Sequence, residues 1–151
     1  MIAEAIKISS QLYDRDYSLW LEQTIQQLKD GFFDEIDLHN LIEELEGMSR
    51  SEKRAVYSNL KIVLTHLLKY RYQPSKRSNS WRSTIREHRQ RLERYFEESP
   101  SLRGYFDEIF EKSYGDARKL AADETGLALE AFPAESPFSR EEALDPEYLP
   151  D

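Results

Sequence analysis

Apolar residues recur every three to four positions through most of the chain, which is the spacing of one face of an α-helix. Tyr17, Trp20, Leu21, Thr24, Ile25 and Leu28 fall on one side of a helix predicted from about Asp16 to Asp30, stopped by Gly31. Asp37 caps a second helix, Leu38 to Met48, with Leu38, Leu41, Ile42 and Leu45 turned inward. The tetrad Ser49–Glu52, "SRSE", has the form of a capping box, so a new helix is expected to open there and run to about Tyr72. Val56, Leu60, Val63, Leu64, Leu67 and Leu68 form its buried stripe. At 1.5 Å per residue that third helix is about 33 Å long.

Pro74 and the polar run "SKRSNS" separate it from a fourth helix, about Asn79 to Glu98. Trp81, Ile85, His88, Leu92, Tyr95 and Phe96 share its apolar face. Ser99 as cap and Pro100 at the first helical position open a fifth helix, which runs to about Glu124 before Gly126. Its core positions are Leu102, Tyr105, Phe106, Ile109, Ala117 and Leu120. The connection from Gln73 to Ser78 is short, which makes the third and fourth helices antiparallel neighbours. The pattern therefore predicts an all-α, single-domain bundle of about five helices over residues 10–126. The third and fourth helices form its central hairpin. An acidic, proline-rich tail, residues 127–151, is packed on or loosely attached to the bundle, and "SREE" (Ser139–Glu142) is its one capped helical turn.

Composition agrees with this picture. A chain of 151 residues suits one domain and buries roughly two-thirds of its unfolded surface. The mean hydropathy is −0.75, yet aromatic residues make up 12%, more than a disordered chain retains. There is no cysteine, which excludes disulfides, zinc–thiolate sites and cysteine nucleophiles. No apolar run approaches the roughly 18 residues of a membrane span, and the N-terminus carries Glu4, Asp14 and Asp16 where a signal peptide would be apolar. No membrane association is expected, and the cytoplasm is the default location. No P-loop, G-x-G-x-x-G, G-x-S-x-G or H-E-x-x-H motif occurs, and no cofactor is implied.

Charge adds one feature that the apolar pattern does not show. The chain carries a net charge of −8, but residues 69–94 hold nine Lys/Arg against two Glu, a local +7. Arginine forks suit phosphate oxygens, and Tyr70, Tyr72 or Trp81 offer stacking faces, so this segment is a possible polyanion surface. The alternative is internal pairing with the acidic helices, or screening by the tail, which carries −5 from Phe132 onward. His66, Lys69, Trp81, Arg82 and Arg86, with Arg89 beyond them, are the candidate anion- or ligand-binding residues at the hairpin end. Together they would bring acid–base and anion-binding groups to one place. His88 lies on the apolar face itself, where a core or boundary histidine is the expected reading.

His39, Glu43 and Glu46 share one face of the second predicted helix at i, i+4, i+7 spacing and are weak candidates for a metal site. A solvated acidic face is the better reading of them, since the paired E-x-x-H motifs of di-metal bundles are absent.

Five blocks recur in order: "YDRDYSLW" (Tyr13–Trp20), "DEIDLHNLIEELEGM", "HLLKYRYQP", "SWRSTIREHR" and "SPSL". In these the chain resembles domain-of-unknown-function family 29, short proteins found largely in cyanobacteria and some other bacteria. The resemblance extends from about Tyr13 to Pro146. It implies an α-helical fold and a bacterial origin, and it implies no activity. The usual family pattern has tryptophan at the position of Tyr70, and glutamine is common at that of His88. The sequence alone thus ranks three functions. A non-enzymatic interaction or regulatory module with a protein partner, or as a homodimer, comes first. A nucleic-acid-binding or nucleic-acid-processing protein using residues 69–94 comes second, and a metal-dependent hydrolase third.

Overall fold

Asp16 leaves helical geometry at φ −149° and, in doing so, accepts a hydrogen bond from the Leu19 amide at 3.0 Å. One residue thereby ends one helix and caps the next. The computed structural model describes residues 1–151 and contains six α-helices and no strand. They are α1 (Ile2–Arg15), α2 (Tyr17–Asp30), α3 (Leu38–Tyr72), α4 (Asn79–Glu98), α5 (Leu102–Thr125) and α6 (Arg140–Leu144). Short 3-10 turns occupy Phe33–Glu35, Pro74–Lys76 and Leu129–Ala131. The fold is all-α. Two compact units divide it, residues 1–50 and 51–151.

In the first unit, α1 was not expected from the apolar pattern. Its inward side carries Ala5, Ile6, Leu12 and Tyr13, all partly buried and at helical spacing around the buried Ser9, while Ile2 and Ile8 are exposed. On α2 the helix ends where expected. Gly31 adopts φ 77°, and the Phe32 amide reaches back to the Gln27 carbonyl at 3.0 Å. The face expected to be inward is only partly so. Trp20, Thr24 and Gln27 are buried, whereas Tyr17, Leu21, Ile25 and Leu28 stand 36–46% exposed. The elements packed most closely on α2 are α1 and the 3-10 turn, and they cover a narrow strip of its circumference.

The two helices expected over residues 38–72 are a single helix of 35 residues, about 52 Å long. Ser49–Glu52 does not cap a new helix; it lies inside α3. An S-x-x-E tetrad is also an ordinary i, i+3 pair of helix-compatible residues, and no proline intervenes to force a break. Arg50 reaches back to Glu46 at 3.7 Å and Glu43 at 4.0 Å across the expected boundary. The Asp37 cap holds as expected, taking the Asn40 amide N–H at 3.4 Å and the Asn40 side-chain N–H at 2.6 Å. Leu38, Ile42, Leu45 and Met48, however, are 45–65% exposed, and of the positions expected inward only Leu41 is partly covered.

The second unit is a helical bundle with the main hydrophobic core. On α3, Val56, Leu60, Val63, Leu64, Leu67 and Leu68 are fully buried, as their spacing predicts. Ile85, Leu92 and Phe96 of α4, and Phe106, Phe110, Tyr114 and Ala117 of α5, complete the interior. Ser78 caps α4 through the Trp81 amide at 3.2 Å. The helix α5 starts at Leu102 rather than Pro100, with the Ser99 and Pro100 carbonyls closing a preceding turn.

The C-terminal segment is woven into this core. Phe132, Phe138 and Ala143 are buried there, and the Ser139–Glu142 capping box closes both of its hydrogen bonds. Its backbone carbonyls are taken up by side chains of the helices. Tyr114 donates to the Pro133 carbonyl at 2.5 Å, Arg118 to that of Phe132 at 3.0 Å, and Arg89 to three more.

Candidate functional site

The basic segment begins on the last turns of α3 and continues along α4. Its cations meet four different fates. Lys69 is paired with Glu124 of α5 at 3.0 Å and lies 4.8 Å from the centre of the Trp81 ring. Arg91 pairs with Glu87 one turn away at 2.6 Å. Arg77 stacks on Tyr70 at 4.3 Å and donates to the Tyr70 carbonyl at 2.7 Å. Arg89 is 4% exposed, and its guanidinium is divided among the Glu142, Ala143 and Tyr148 carbonyls at 2.8–2.9 Å. Burial pushes its pKa down to about 10, so it stays charged at neutral pH. The tail therefore meets this arginine with peptide dipoles rather than with its carboxylates.

Arg82 and Arg86 make no ion pair. They line a cavity of about 310 Å³ with Asn79, Ser83, Arg89 and Leu149. Glu147 borders it as well. The six candidate residues therefore form two groups. His66, Lys69 and Trp81 lie on the side occupied by Glu124, and Arg82, Arg86 and Arg89 lie against the C-terminal segment.

Both histidines of this region are held by their Nδ1 atoms. His66 meets the Ile62 carbonyl at 2.9 Å and His88 meets the Asn59 side-chain oxygen at 2.6 Å. Each acceptor is a carbonyl oxygen, so each Nδ1 carries the proton. Burial lowers the pKa of both rings, aided by Lys69 at His66 and by Arg91 at His88. They are neutral imidazoles at neutral pH, and no serine, threonine or carboxylate side chain is hydrogen-bonded to either.

No group of three or more His, Asp or Glu side chains is placed to hold a metal ion. Glu43 and Glu46 face Arg50, while His39 lines a shallow surface cavity with Lys7, Asp14 and Asp37. A cation already serves the two carboxylates that a metal would need.

Glu44, their neighbour, is the better-built carboxylate. It accepts hydrogen bonds from Tyr13 at 2.5 Å and Tyr17 at 2.6 Å. Those bonds lower the Glu44 pKa, and they raise that of Tyr13 to about 12. Both tyrosine rings also pack on Trp20, at 4.8 Å and 5.9 Å between centres. The conspicuous tyrosine–tryptophan block of the N-terminal region is thus a clamp joining α1, α2 and α3.

The feature that sequence reasoning missed is apolar. Of the fifteen large hydrophobic residues that are exposed, fourteen lie in residues 1–50. Eight of them form two stripes, Tyr17, Leu21, Ile25 and Leu28 on α2, and Leu38, Ile42, Leu45 and Met48 on α3. Helical spacing identified both stripes but assigned them to a core. The signal that argued otherwise is charge, for these 50 residues carry eleven Asp/Glu against four Lys/Arg, a net −7. The other 101 residues carry −1.

No curated protein and no solved structure matches the chain. A family model described as "Domain of unknown function DUF29" matches residues 12–149, which takes in the Tyr13–Trp20 clamp, the basic hairpin and the arginine-anchored C-terminal segment; the chain belongs to that family.

Proposed function

We propose that this protein is a non-enzymatic interaction module, cytoplasmic in location, that binds a protein partner through the apolar stripes of α2 and α3. The single observation that carries this reading is the concentration of fourteen exposed large hydrophobics in the first 50 residues. Soluble monomers rarely leave contiguous apolar patches beyond a few hundred Å², and larger ones with polar rims mark interaction sites. Eight such side chains at roughly half exposure amount to about 800 Å², the area that one partner contributes to an interface of standard size.

Neutral, hydrogen-bonded histidines and carboxylates already paired with Arg50 or the tyrosines supply no reactive constellation to compete with this reading.

Photo-crosslinking in the native cell tests the reading. A photoreactive residue replacing Leu45 is expected to give a discrete protein adduct. The same residue at Arg94, exposed on α4, is expected to give none. Absence of any adduct at position 45 overturns the proposal.

A further inference from the structure

Resting on that reading, we infer that the partner is a cationic amphipathic helix, seated on the N-terminal apolar surface with its basic residues toward the surrounding carboxylates. The helix α3 itself shows what its stripe takes. Leu38, Ile42 and Leu45 follow one another at +4 and +3, and Val56, Leu60 and Val63 repeat the same steps 18 residues on. The two triplets thus carry the same helical spacing, each forming one apolar stripe in its own unit. The second triplet is fully buried within a core supplied by α4, α5 and the C-terminal segment. The first is 45–60% exposed. A stripe of the spacing that takes helical cover in the second unit is therefore left open in the first over three turns, a length of about 15 Å that an average helix spans.

The second stripe widens the seat. Tyr17 opens the α2 stripe, and its hydroxyl is bonded to Glu44, which shares a turn of α3 with Leu41, Leu45 and Met48. The two stripes thus adjoin at this clamp.

Charge selects among possible occupants. The unit carries −7, and Glu22 on α2 and Asp34 and Glu35 in the turn before α3 make no ion pair. An anionic lipid surface would meet that charge unfavourably. The same surface of a second copy would bring −7 against −7, where like charges across an interface oppose association. A helix with apolar residues at i, i+3/i+4 and i+7 and Lys/Arg on its flanks satisfies both the stripes and the field, and steering raises its association rate.

The test uses the full chain and two designed peptides of about 18 residues, with identical leucine spacing and either lysine or glutamate at the flanking positions. Fluorescence anisotropy at physiological ionic strength is expected to show saturable binding of the Leu/Lys peptide, at least about tenfold tighter than that of Leu/Glu. The Ile42→Glu, Leu45→Glu double variant separates seating from general attraction. It removes apolar area and adds two negative charges, so it weakens a seated helix about tenfold or more but strengthens a purely electrostatic contact. Both residues are already substantially exposed, and far-ultraviolet circular dichroism is expected to be unchanged.

No saturable binding, equal binding of the two peptides, or tighter binding by the double variant overturns the inference. So does a dimer in sedimentation that the double variant disperses. The crosslink at position 45 remains the independent readout of the underlying reading. An adduct with a second copy or with a non-basic partner sinks the cationic helix but leaves an interaction module; no adduct sinks both.

Discussion

Arg89 shows how far a single side chain sets the organisation of this fold. A guanidinium that is nearly buried and makes three hydrogen bonds to backbone carbonyls gathers Glu142, Ala143 and Tyr148 around one planar fork. Lysine places one compact charge where three directed donors are needed, so the conservative change is not conservative here. Arg89→Ala is expected to destabilise the chain by about 3 kcal/mol and Arg89→Lys by somewhat less, measured by denaturant unfolding. Trypsin cleavage after Arg140 should accelerate in both variants, because the anchored segment is the part released. Unchanged cleavage would mean that the segment is held without this residue.

The histidines make a second residue-scale prediction. Both have folded pKa values below the ordinary 6.5, first through burial and then through the neighbouring cations. Between those lowered values and 6.5 the unfolded chain binds more protons than the folded one, so stability rises with pH in that window. The contribution is complete above about pH 6.5 and fades as pH falls toward the folded values. A His66→Asn, His88→Gln variant should show a flatter dependence of Tm on pH below about 6.5. An unchanged profile would place the acid sensitivity on other groups. Little of this was legible beforehand: position on the helix indicated a boundary role for His88, but its acceptor Asn59 lies 29 residues away in sequence.

Among the elements, α3 carries the clearest contrast between local pattern and tertiary outcome. Helix type, the cap at Asp37, the stop at Gly31, the α4 boundaries and the Ser139 capping box could all be read from residues within a few positions of one another. The continuity of α3 could not, because S-x-x-E has one meaning after a loop and another within a helix. The signal for α1 was local, since Ala5, Ile6, Leu12 and Tyr13 keep helical spacing around a buried serine. The exposed stripes were missed for a related reason: periodicity reports which side of a helix is apolar, not whether anything covers it.

Continuity makes Gly47 an interior helical residue, and a Cβ added there would meet only the Arg50 side chain, at 3.7 Å. Gly47→Ala is therefore expected to stabilise the chain by about 0.5–1 kcal/mol, seen as a raised Tm. Were α3 instead two helices with a break near Ser49, alanine would remove the flexibility that the break needs, and the substitution would be neutral or harmful.

At the scale of the whole molecule, apolar burial is distributed very unevenly. Eighteen of the twenty buried hydrophobic residues lie in residues 51–151, and only Trp20 and Ile36 in the first unit. The same first unit holds all three buried polar atoms without a hydrogen-bond partner, Ser9 Oγ, Trp20 Nε1 and Gln27 Oε1. Each such atom costs about 1–3 kcal/mol, and the unit's charge of −7 adds self-repulsion. Against these terms stand the clamp of Tyr13, Tyr17 and Glu44 and one buried tryptophan. The first unit is thus the less stable part of a chain whose other part has a complete core. Native-state hydrogen exchange measures this difference directly. Amides of α1 and α2 are expected to exchange at least about a hundredfold faster than those of α5, a difference of roughly 3 kcal/mol in opening free energy. Saturation with the Leu/Lys peptide should slow exchange in α2 and in residues 38–48 while leaving α5 unchanged, since ligand binding stabilises only the unit that forms its seat. Equal protection of α1, α2 and α5 in the free chain would show that the first unit is complete without cover, and its exposed stripes would then need another explanation.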